Sequence, residues 1–508
     1  MADFWRPAAA GVASVVAGIG AAELVSAIVV QNGSPLLTVG ALVIDLAPPW
    51  LKEAVIGLFG TGDKAFLITL LGLVVLAGAG LAGWLERRRP PLGRILIGLG
   101  GALGVLAAVT RAGNGVADAL PSVLAAGLAI LLLGWLIGML RDTEPTRAAP
   151  RGRVSRRRFV GAAAATTAGG ALALGVAQAA AGGFRAASAA RAAIRLPSPA
   201  RTAPPIPAGA SFDIPGLSPI VTPNADFYRI DTALQVPGID PNAWRLRITG
   251  MVEHEVELTF AELLKLPLEE STTTLTCVSN EVGGDLIGNA TWLGYPIRHL
   301  LARAKPSADA DMVLSTSQDG WTASTPLTAL TDERNAILAV GMNGQPLPLE
   351  HGYPVRMVVP GLYGYVSATK WVVSLEVTRF DRHTAYWTDR GWSERGPVKL
   401  SSRIDVPAAG RQVKAGTVAV AGVAWSQHVG VSAVHVRVDD GPWQQATLAE
   451  AISADTWRQW RFAWEATPGA HTLRVRATDA TGLVQTATER DVVPDGATGL
   501  HTVQVTVV

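Results

Sequence analysis

One sulfur ligand is available to this chain, because Cys277 is its single cysteine. It sits in the run Leu275-Thr276-Cys277-Val278-Ser279-Asn280-Glu281-Val282-Gly283-Gly284. The threonine-rich stretch before it, residues 272–276, has strand character. The polar, glycine-containing stretch after it reads as a loop. The thiol therefore falls at a strand end beside a loop, where sites are commonly built. A lone cysteine is most often a small buried hydrophobe. In this position a thiolate suits a soft transition metal, and no second thiol competes to oxidise it. The same count excludes an intrachain disulfide framework, an iron–sulfur cluster and a zinc site built on several thiolates. A formal net charge of +2 gives no basis for nucleic-acid binding.

Three further runs carry chemistry-bearing side chains: Asn224-Ala225-Asp226-Phe227-Tyr228-Arg229, then Glu350-His351-Gly352-Tyr353-Pro354-Val355-Arg356, then Ser367-Ala368-Thr369-Lys370-Trp371. Arginine offers a planar fork for phosphate and lysine a point charge. Gly361 and Gly364, between the last two runs, would let backbone approach an anionic tail. Taken alone, Arg356 reads as a surface ion pair, His351 as a turn residue and Lys370 as a solvated charge. In this order and with Cys277, the chain resembles the sulfite oxidase-like molybdopterin-dependent oxidoreductases, in a membrane-anchored bacterial form. The resemblance runs from about residue 218 to the C-terminus and covers none of the first half. It implies a molybdenum–molybdopterin cofactor with Cys277 as the metal ligand. The cofactor-binding residues it implies are Asn224, Phe227, Tyr228, Arg229, Cys277, Asn280, His351, Arg356, Ser367, Thr369 and Lys370. Of these, His351, Arg356 and Lys370 would hold the pterin and its phosphate. Cys277, Arg229 and Trp321 form the implied catalytic set.

Members of that family oxidise sulfite, or reduce nitrate, methionine sulfoxide and related S- or N-oxides. Sulfite oxidases carry an arginine five residues after the metal cysteine, where this chain has Val282. They place a tyrosine where this chain has Trp321, in Trp321-Thr322-Ala323-Ser324-Thr325-Pro326. Both changes make the site less cationic, although Arg229 and Arg461 can still supply charge. The expectation is an oxidoreductase doing oxygen-atom transfer on a small S- or N-oxo compound, with sulfite itself disfavoured. The alternatives are a cofactor-free immunoglobulin-like adhesion or scaffold protein on a membrane stalk, and a pseudoenzyme that keeps the cofactor. The chain has no haem-attachment motif, flavin fingerprint or cluster cysteines. Turnover would therefore need a separate electron-transfer partner, cytochrome- or quinone-linked.

The elements that must position these groups begin at residue 222. Residues 244–250 alternate like a strand, Thr259 with Glu262 reads as a capping box, and residues 295–301 read as a short helix. Residues 355–360 and 371–377 fit buried strands. Beyond about residue 399 the pattern is almost purely β, with a turn at Asp439-Asp440-Gly441. Several short strands there argue a sandwich of immunoglobulin-like form, which the resemblance implies is used for dimerisation.

The first half is of another kind. Residues 8–30, 65–85, 95–110 and 123–140 are long and apolar enough to cross a bilayer. Residues 36–60 are broken by Asp45, Pro48, Pro49, Lys52 and Glu53, and read as interfacial. Arg87, Arg88, Arg89 and Arg94 lie between the second and third spans, and Arg141, Arg147, Arg151, Arg153 and Arg156 to Arg158 follow the fourth. Both clusters fall on the cytoplasmic side if the broken segment does not cross. Ser155-Arg156-Arg157-Arg158-Phe159-Val160, before the apolar run 161–181, resembles a twin-arginine export signal. Export of a folded domain by that route suits a cofactor inserted in the cytoplasm. All eight histidines, His254 to His501, lie after the spans, so the membrane half cannot hold a bis-histidine haem. Glu23 is the ionisable group within a span, a functional candidate or a packing residue. The expected layout is 1–184 transmembrane, 185–221 linker, 222–398 an α+β molybdopterin-binding domain, and 399–508 an all-β sandwich. The protein is thus expected in the cell membrane, multi-pass, with the catalytic domain on the extracytoplasmic side.

Overall fold

Long apolar stretches with few charges fold as helices, because a helix pairs the backbone groups of its interior within the segment itself. The computed structural model describes residues 2–28, 33–48, 51, 54–55, 58–59, 62–110, 115–141, 156–180 and 182–508. The chain divides into two units, Met1–Arg185 with Thr232–Val236, and Ala186–Asp231 with Pro237–Val508.

The first unit contains α1 (Ala2–Ile28), α2 (Pro35–Leu46), α3 (Asp63–Arg88), α4 (Leu92–Val109), α5 (Leu120–Arg141) and α6 (Arg156–Ala180). Among the described residues five helical stretches are long and apolar enough to cross a membrane: Phe4–Ile28, Asp63–Arg88, Leu92–Val109, Val116–Arg141 and Arg157–Ala177. α1 is the hub and packs on α3, α5 and α6. A Cβ on Gly11 would lie 1.9 Å from Ala79 O, so α1 and α3 touch backbone to backbone as small-residue helix pairs do. Phe159 is buried with Leu133, Leu136, Ile137 and Leu140.

The broken stretch opens with α2, capped by Ser34, whose Oγ accepts from Leu37 N–H (3.3 Å) and donates to Glu23 Oε1 (2.7 Å). Glu23 thereby ties α1 to the start of α2, the packing role of the two open to it. Much of the stretch from residue 49 to 61 lies outside the described residues. So do Ser155 and the loop carrying Arg147, Arg151 and Arg153. A second acidic side chain, Glu86, is fully buried and pairs with Arg94 at 3.1 Å. Residues 232–236 also belong to this unit, with Ala233 buried and its carbonyl accepting from Lys64 Nζ at 2.6 Å.

Helix α7 (Gly182–Ala193) leads into the second unit. The stretch expected to be a linker is hydrogen-bonded along its length. Arg191 donates to Leu347 O (2.8 Å) and Pro346 O (2.9 Å), Ala200 N–H to Leu268 O (2.7 Å), and Phe212 N–H to Gln459 Oε1 (2.7 Å). Prolines remove donors, and among those that remain the N–H groups of Ala200, Ala203, Phe212 and Ser218 find acceptors on the folded domains.

Strands β1 (Arg245–Gly250), β2 (Val256–Thr259), β3 (Glu269–Thr276), β4 (Ile287–Pro296), β5 (Met312–Ser317), β6 (Thr322–Pro326), β7 (Ile337–Met342), β8 (Gln345–Pro346), β9 (Arg356–Val358) and β10 (Val372–Thr378) make two sheets. Their orders are β2-β1-β10-β5-β6 and β3-β4-β7-β8, with β9 paired to β7. Short helices α8 (Phe260–Lys265), α9 (Ile297–Ala304), α10 (Leu327–Thr331) and α11 (Gly364–Ser367) connect them. The capping box forms: Glu262 N–H donates to Thr259 Oγ1 (3.1 Å) and Thr259 N–H to Glu262 Oε2 (2.9 Å). The helix expected from residue 295 starts at Ile297, because Tyr295 and Pro296 still pair with β7.

Strands β11 (Ser401–Val406), β12 (Gln412–Val413), β13 (Gly416–Trp425), β14 (Val431–Val438), β15 (Gln444–Gln445), β16 (Thr447–Leu448), β17 (Arg458–Ala466), β18 (Gly469–Asp479) and β19 (Thr502–Val507) form the sandwich. Its sheets run β11-β13-β17-β16 and β12-β19-β18-β14-β15. Alternation places Val434 and Val436 inward against Leu473, Val475, Val503 and Trp460. Trp460 is fully buried. Trp460→Ala should therefore lower the stability of the sandwich by about 3–5 kcal/mol, measured by urea unfolding. A loss under about 1 kcal/mol would mean this core is not packed as described.

Candidate active site

β3 ends at Thr276 and delivers Cys277 to the start of a tight loop. Cys277 N–H donates to Leu286 O (2.9 Å), Asn280 N–H to Cys277 O (3.2 Å), and Leu286 N–H to Asn280 Oδ1 (2.8 Å). Asn280 thus braces the loop. Burial pushes the Cys277 thiol up. The backbone and hydroxyl of Ser279, the backbone of Val278 and the charge of Lys370 act in the opposite direction, favouring the thiolate. Such donors are what a buried sulfur anion requires.

Two cations lie on the same side. Arg356 opens β9 at 5% exposure, with its guanidinium 5.0 Å from the Trp292 ring on β4. Its hydrogen bonds go to backbone carbonyls: His351 O at 3.2 Å, Met357 O at 3.3 Å and Ala368 O at 3.4 Å. No ion pair joins it to a carboxylate among the described residues, and burial holds its pKa down to about 10. Lys370 precedes β10 and pairs with Asp231 at 2.8 Å, also donating to Glu350 O at 3.0 Å. Burial lowers its pKa to about 8 despite Asp231. Arg229, half-exposed, reaches the same carboxylate at 2.9 Å.

His351 Nε2 lies 3.2 Å from Asn224 O. A carbonyl only accepts, so Nε2 carries the proton and Nδ1 is left as an acceptor. Burial, then Lys370 and Arg356, hold its pKa down to about 3, so the ring is neutral at ordinary pH. The Asn224 amide is held by Met342 O (3.2 Å) and by Asn343 (2.8 Å). Phe227 stacks on Tyr228 (5.2 Å) and meets Trp292 (5.7 Å) and His351 (5.6 Å) edge to face. Burial, then the neighbouring Cys277, raise the Tyr228 phenol, which stays a neutral hydroxyl.

The turn at Gly352 makes this convergence possible. Its φ is +106°, and a Cβ there would lie 2.9 Å from Arg356 Cβ and 3.2 Å from Lys370 Cα. Trp371 carries φ +51°, a conformation costing a non-glycine residue roughly 1–2 kcal/mol. Its indole N–H holds it in place by donating to Leu349 O at 2.9 Å.

Not every expected residue reaches the cluster through its side chain. Ser367 and Thr369 spend their hydroxyls inside the protein, on Tyr363 O (2.9 Å) and on Ser315 Oγ (2.6 Å). Trp321 lies in the β5–β6 turn, where its backbone carbonyl accepts from Ser317 N–H at 2.8 Å. Arg461, on β17, stacks over the Phe212 ring at 4.6 Å and is engaged there. Val282 lines a small cavity with Thr276, Tyr363, Ser401 and Trp425, facing the sandwich. The missing Cβ of Gly361 faces His428 Cβ at 2.9 Å, whereas the position of Gly364 lies near Thr276 O and the Tyr228 hydroxyl.

Sequence reasoning missed Asp231, Trp292 and Ser279. Asp231 carried a signal, since it lies two residues from Arg229 in one loop. Trp292 had none, being brought over Arg356 by strand pairing alone.

Among the described residues no group of three His, Cys, Asp or Glu side chains converges. A metal on Cys277 would therefore take its other ligands from a bound group. Arg356, Lys370 and Arg229 against the Asp231 carboxylate leave positive charge to neutralise, so that group is anionic. Both demands fit a sulfur-donating pterin with a phosphate tail.

The oxidoreductase molybdopterin binding domain family matches residues 233–387, and the bacterial Ig domain family matches residues 401–475. Mitochondrial sulfite oxidase of Mus musculus is 32% identical over 289 residues, 48% of this chain and 52% of that protein. The Homo sapiens protein is 30% identical over 302 residues, 50% of this chain and 55% of that protein. The chain thus spans about half the length of these curated relatives. The uncharacterized oxidoreductase YuiH of Bacillus subtilis is 32% identical over 157 residues, 31% of this chain and 76% of YuiH. The solved sulfane dehydrogenase SoxCD of Paracoccus pantotrophus shares the fold, with TM-score 0.50 and 24% identity over 57% of this chain and 82% of that one.

The charge balance has a measurable sign. Folded Lys370 releases its proton near pH 8, against about 10.4 in the unfolded chain. Between the two the unfolded chain binds more protons, so cofactor-free protein gains stability as pH rises through that window. Lys370→Met should flatten the rise in Tm between about pH 7.5 and about pH 10. Parallel curves for parent and variant would contradict the site's excess positive charge.

Proposed function

Because the chain belongs to the sulfite oxidase-like molybdopterin oxidoreductases, we propose that it is a membrane-anchored enzyme whose catalytic domain works outside the cytoplasm on a small S- or N-oxo compound. The observation that carries this is a buried Arg356 and Lys370 on the side to which β3 delivers the Cys277 sulfur. Bound there, the molybdenum–pterin group supplies the two-electron redox chemistry and the acceptor or donor of the transferred oxygen. The protein's own residues do the rest. Cys277 would give a soft thiolate to a bound metal, and the donors of Val278 and Ser279 partly offset the cost of burying that charge. Arg356 and Lys370 would neutralise the anionic group, and neutral His351 would leave its Nδ1 as an acceptor for it. Tyr228, protonated beside Cys277, can donate to a substrate oxygen, and half-exposed Arg229 draws in anions from solvent.

Val282 and Trp321 stand where sulfite oxidases carry an arginine and a tyrosine, which supports a substrate other than sulfite. Five apolar helices, arginine clusters after the second and fourth spans, and the Arg156-Arg157 motif support an odd number of crossings and export of the folded domain. A separate carrier, cytochrome- or quinone-linked, would take or supply the electrons. The sandwich is a candidate homodimer contact.

Purified protein should contain about one molybdenum per chain, and should turn over one of a panel of sulfite, sulfoxides and N-oxides. Cys277→Ser should lower metal retention at least about tenfold. Metal-free native protein would sink the proposal, and loaded protein inert to the whole panel would make it a pseudoenzyme. Arg156→Lys with Arg157→Lys should leave the catalytic domain protected from external protease in spheroplasts. Unchanged exposure would remove the export route.

A further inference from the structure

The strand that delivers Cys277 carries an unusual inner face. Thr272, Thr274 and Thr276 of β3 are all buried, and a buried hydroxyl needs a partner. Thr272 finds Thr291 of the adjacent strand at 3.0 Å. The other two find the sandwich domain. Thr274 Oγ1 accepts from Trp457 N–H at 2.8 Å, and Thr274 N–H donates to Asp455 O at 3.0 Å. Thr276 Oγ1, one residue before the sulfur ligand, accepts from Gln427 Nε2 at 2.8 Å.

Gln427 is 3% exposed and sits just beyond the end of β13. Its neighbour His428 pins the turn, through N–H to Ala454 O at 2.9 Å and through Nδ1 to Asp455 at 2.9 Å. The far side of the Cys277 loop rests on the same domain. Arg403 Nη1 donates to Gly284 O at 2.6 Å, and a Cβ on Gly283 would lie 2.2 Å from His501 Cδ2. The sandwich therefore grips the loop at both flanks, and Gln427 is the grip nearest the sulfur.

We propose that Gln427 is a positioning residue for the metal site: its hydrogen bond to Thr276 sets the direction in which β3 presents the Cys277 sulfur. A thiolate displaced by a fraction of an ångström would change its overlap with the metal. The sandwich is in this reading part of the active site, beyond any role in dimerisation. The inference rests on the proposed function, since it presumes a metal on Cys277.

The test uses the full-length holoenzyme and reads the thiolate-to-molybdenum charge-transfer absorption of the oxidised protein beside molybdenum content. Gln427→Met and Thr276→Val should each keep wild-type metal content and shift that band. The double variant should shift it no further than the larger single change, because both remove one interaction. Thr276→Ser, which keeps the hydroxyl, should restore the parent spectrum. Once a substrate is known, kcat should fall on the order of tenfold with KM unchanged. Fully loaded Gln427→Met protein with the parent's spectrum overturns the proposal, whatever its Tm. Should Gln427→Met fail to fold, Thr276→Val against Thr276→Ser decides, and identical spectra for the two overturn it. Wild-type protein without molybdenum sinks the proposed function instead, a separate outcome.

Discussion

Positive charge taken out of water without matching negative charge is the constraint on which the catalytic domain turns. Arg356 has carbonyls and the Trp292 face for company, and Lys370 shares the Asp231 carboxylate with Arg229. Leaving a buried ion uncompensated costs several kcal/mol. A fold keeps such an arrangement when a ligand completes it. The surrounding geometry serves the same end. Gly352 lets β9 and the approach to β10 come within contact, and Trp371 accepts a left-handed backbone beside Lys370. Neutral His351 adds no third buried charge.

The sulfur obeys a complementary rule. A thiolate at the end of a buried strand needs donors, and the first turn after Cys277 supplies them through Val278 and Ser279. The strand itself is polar on its inner face, and its threonines are satisfied by a different domain. Catalytic domain and sandwich are therefore joined by hydrogen bonds buried within one unit, which costs more to break than a surface contact does. The cation side is built from the two catalytic sheets, and the loop that bears the sulfur is held by the sandwich.

The helical unit answers to other physics. Its helices meet through small residues where backbones touch, as at Gly11 and Ala79, a close approach that larger side chains would block. Two of its acidic side chains are tied down, Glu23 to Ser34 and Glu86 to Arg94.

The amino-acid order by itself determined whatever depends on near neighbours. Apolar length marked the helices, Thr259 and Glu262 marked a helix start, and alternation marked β1. A strand giving way to a polar loop placed Cys277 at its edge, and the spacing of His351, Arg356 and Lys370 carried the family resemblance. Tertiary structure alone decided what depends on partners distant in sequence. Nothing in the runs around Arg356 foretells Trp292 over its guanidinium. The prolines of 185–221 suggested a linker, and which distant acceptors some of its donors reach, such as Gln459 for Phe212, could not be read there. Arg461, a plausible source of site charge by type, is engaged over the Phe212 ring. Gln427 reaches Thr276 across more than a hundred residues of chain. Hydrogen bonding and ion pairing act over about 3 Å, so which groups they join is settled only when the strands are laid side by side.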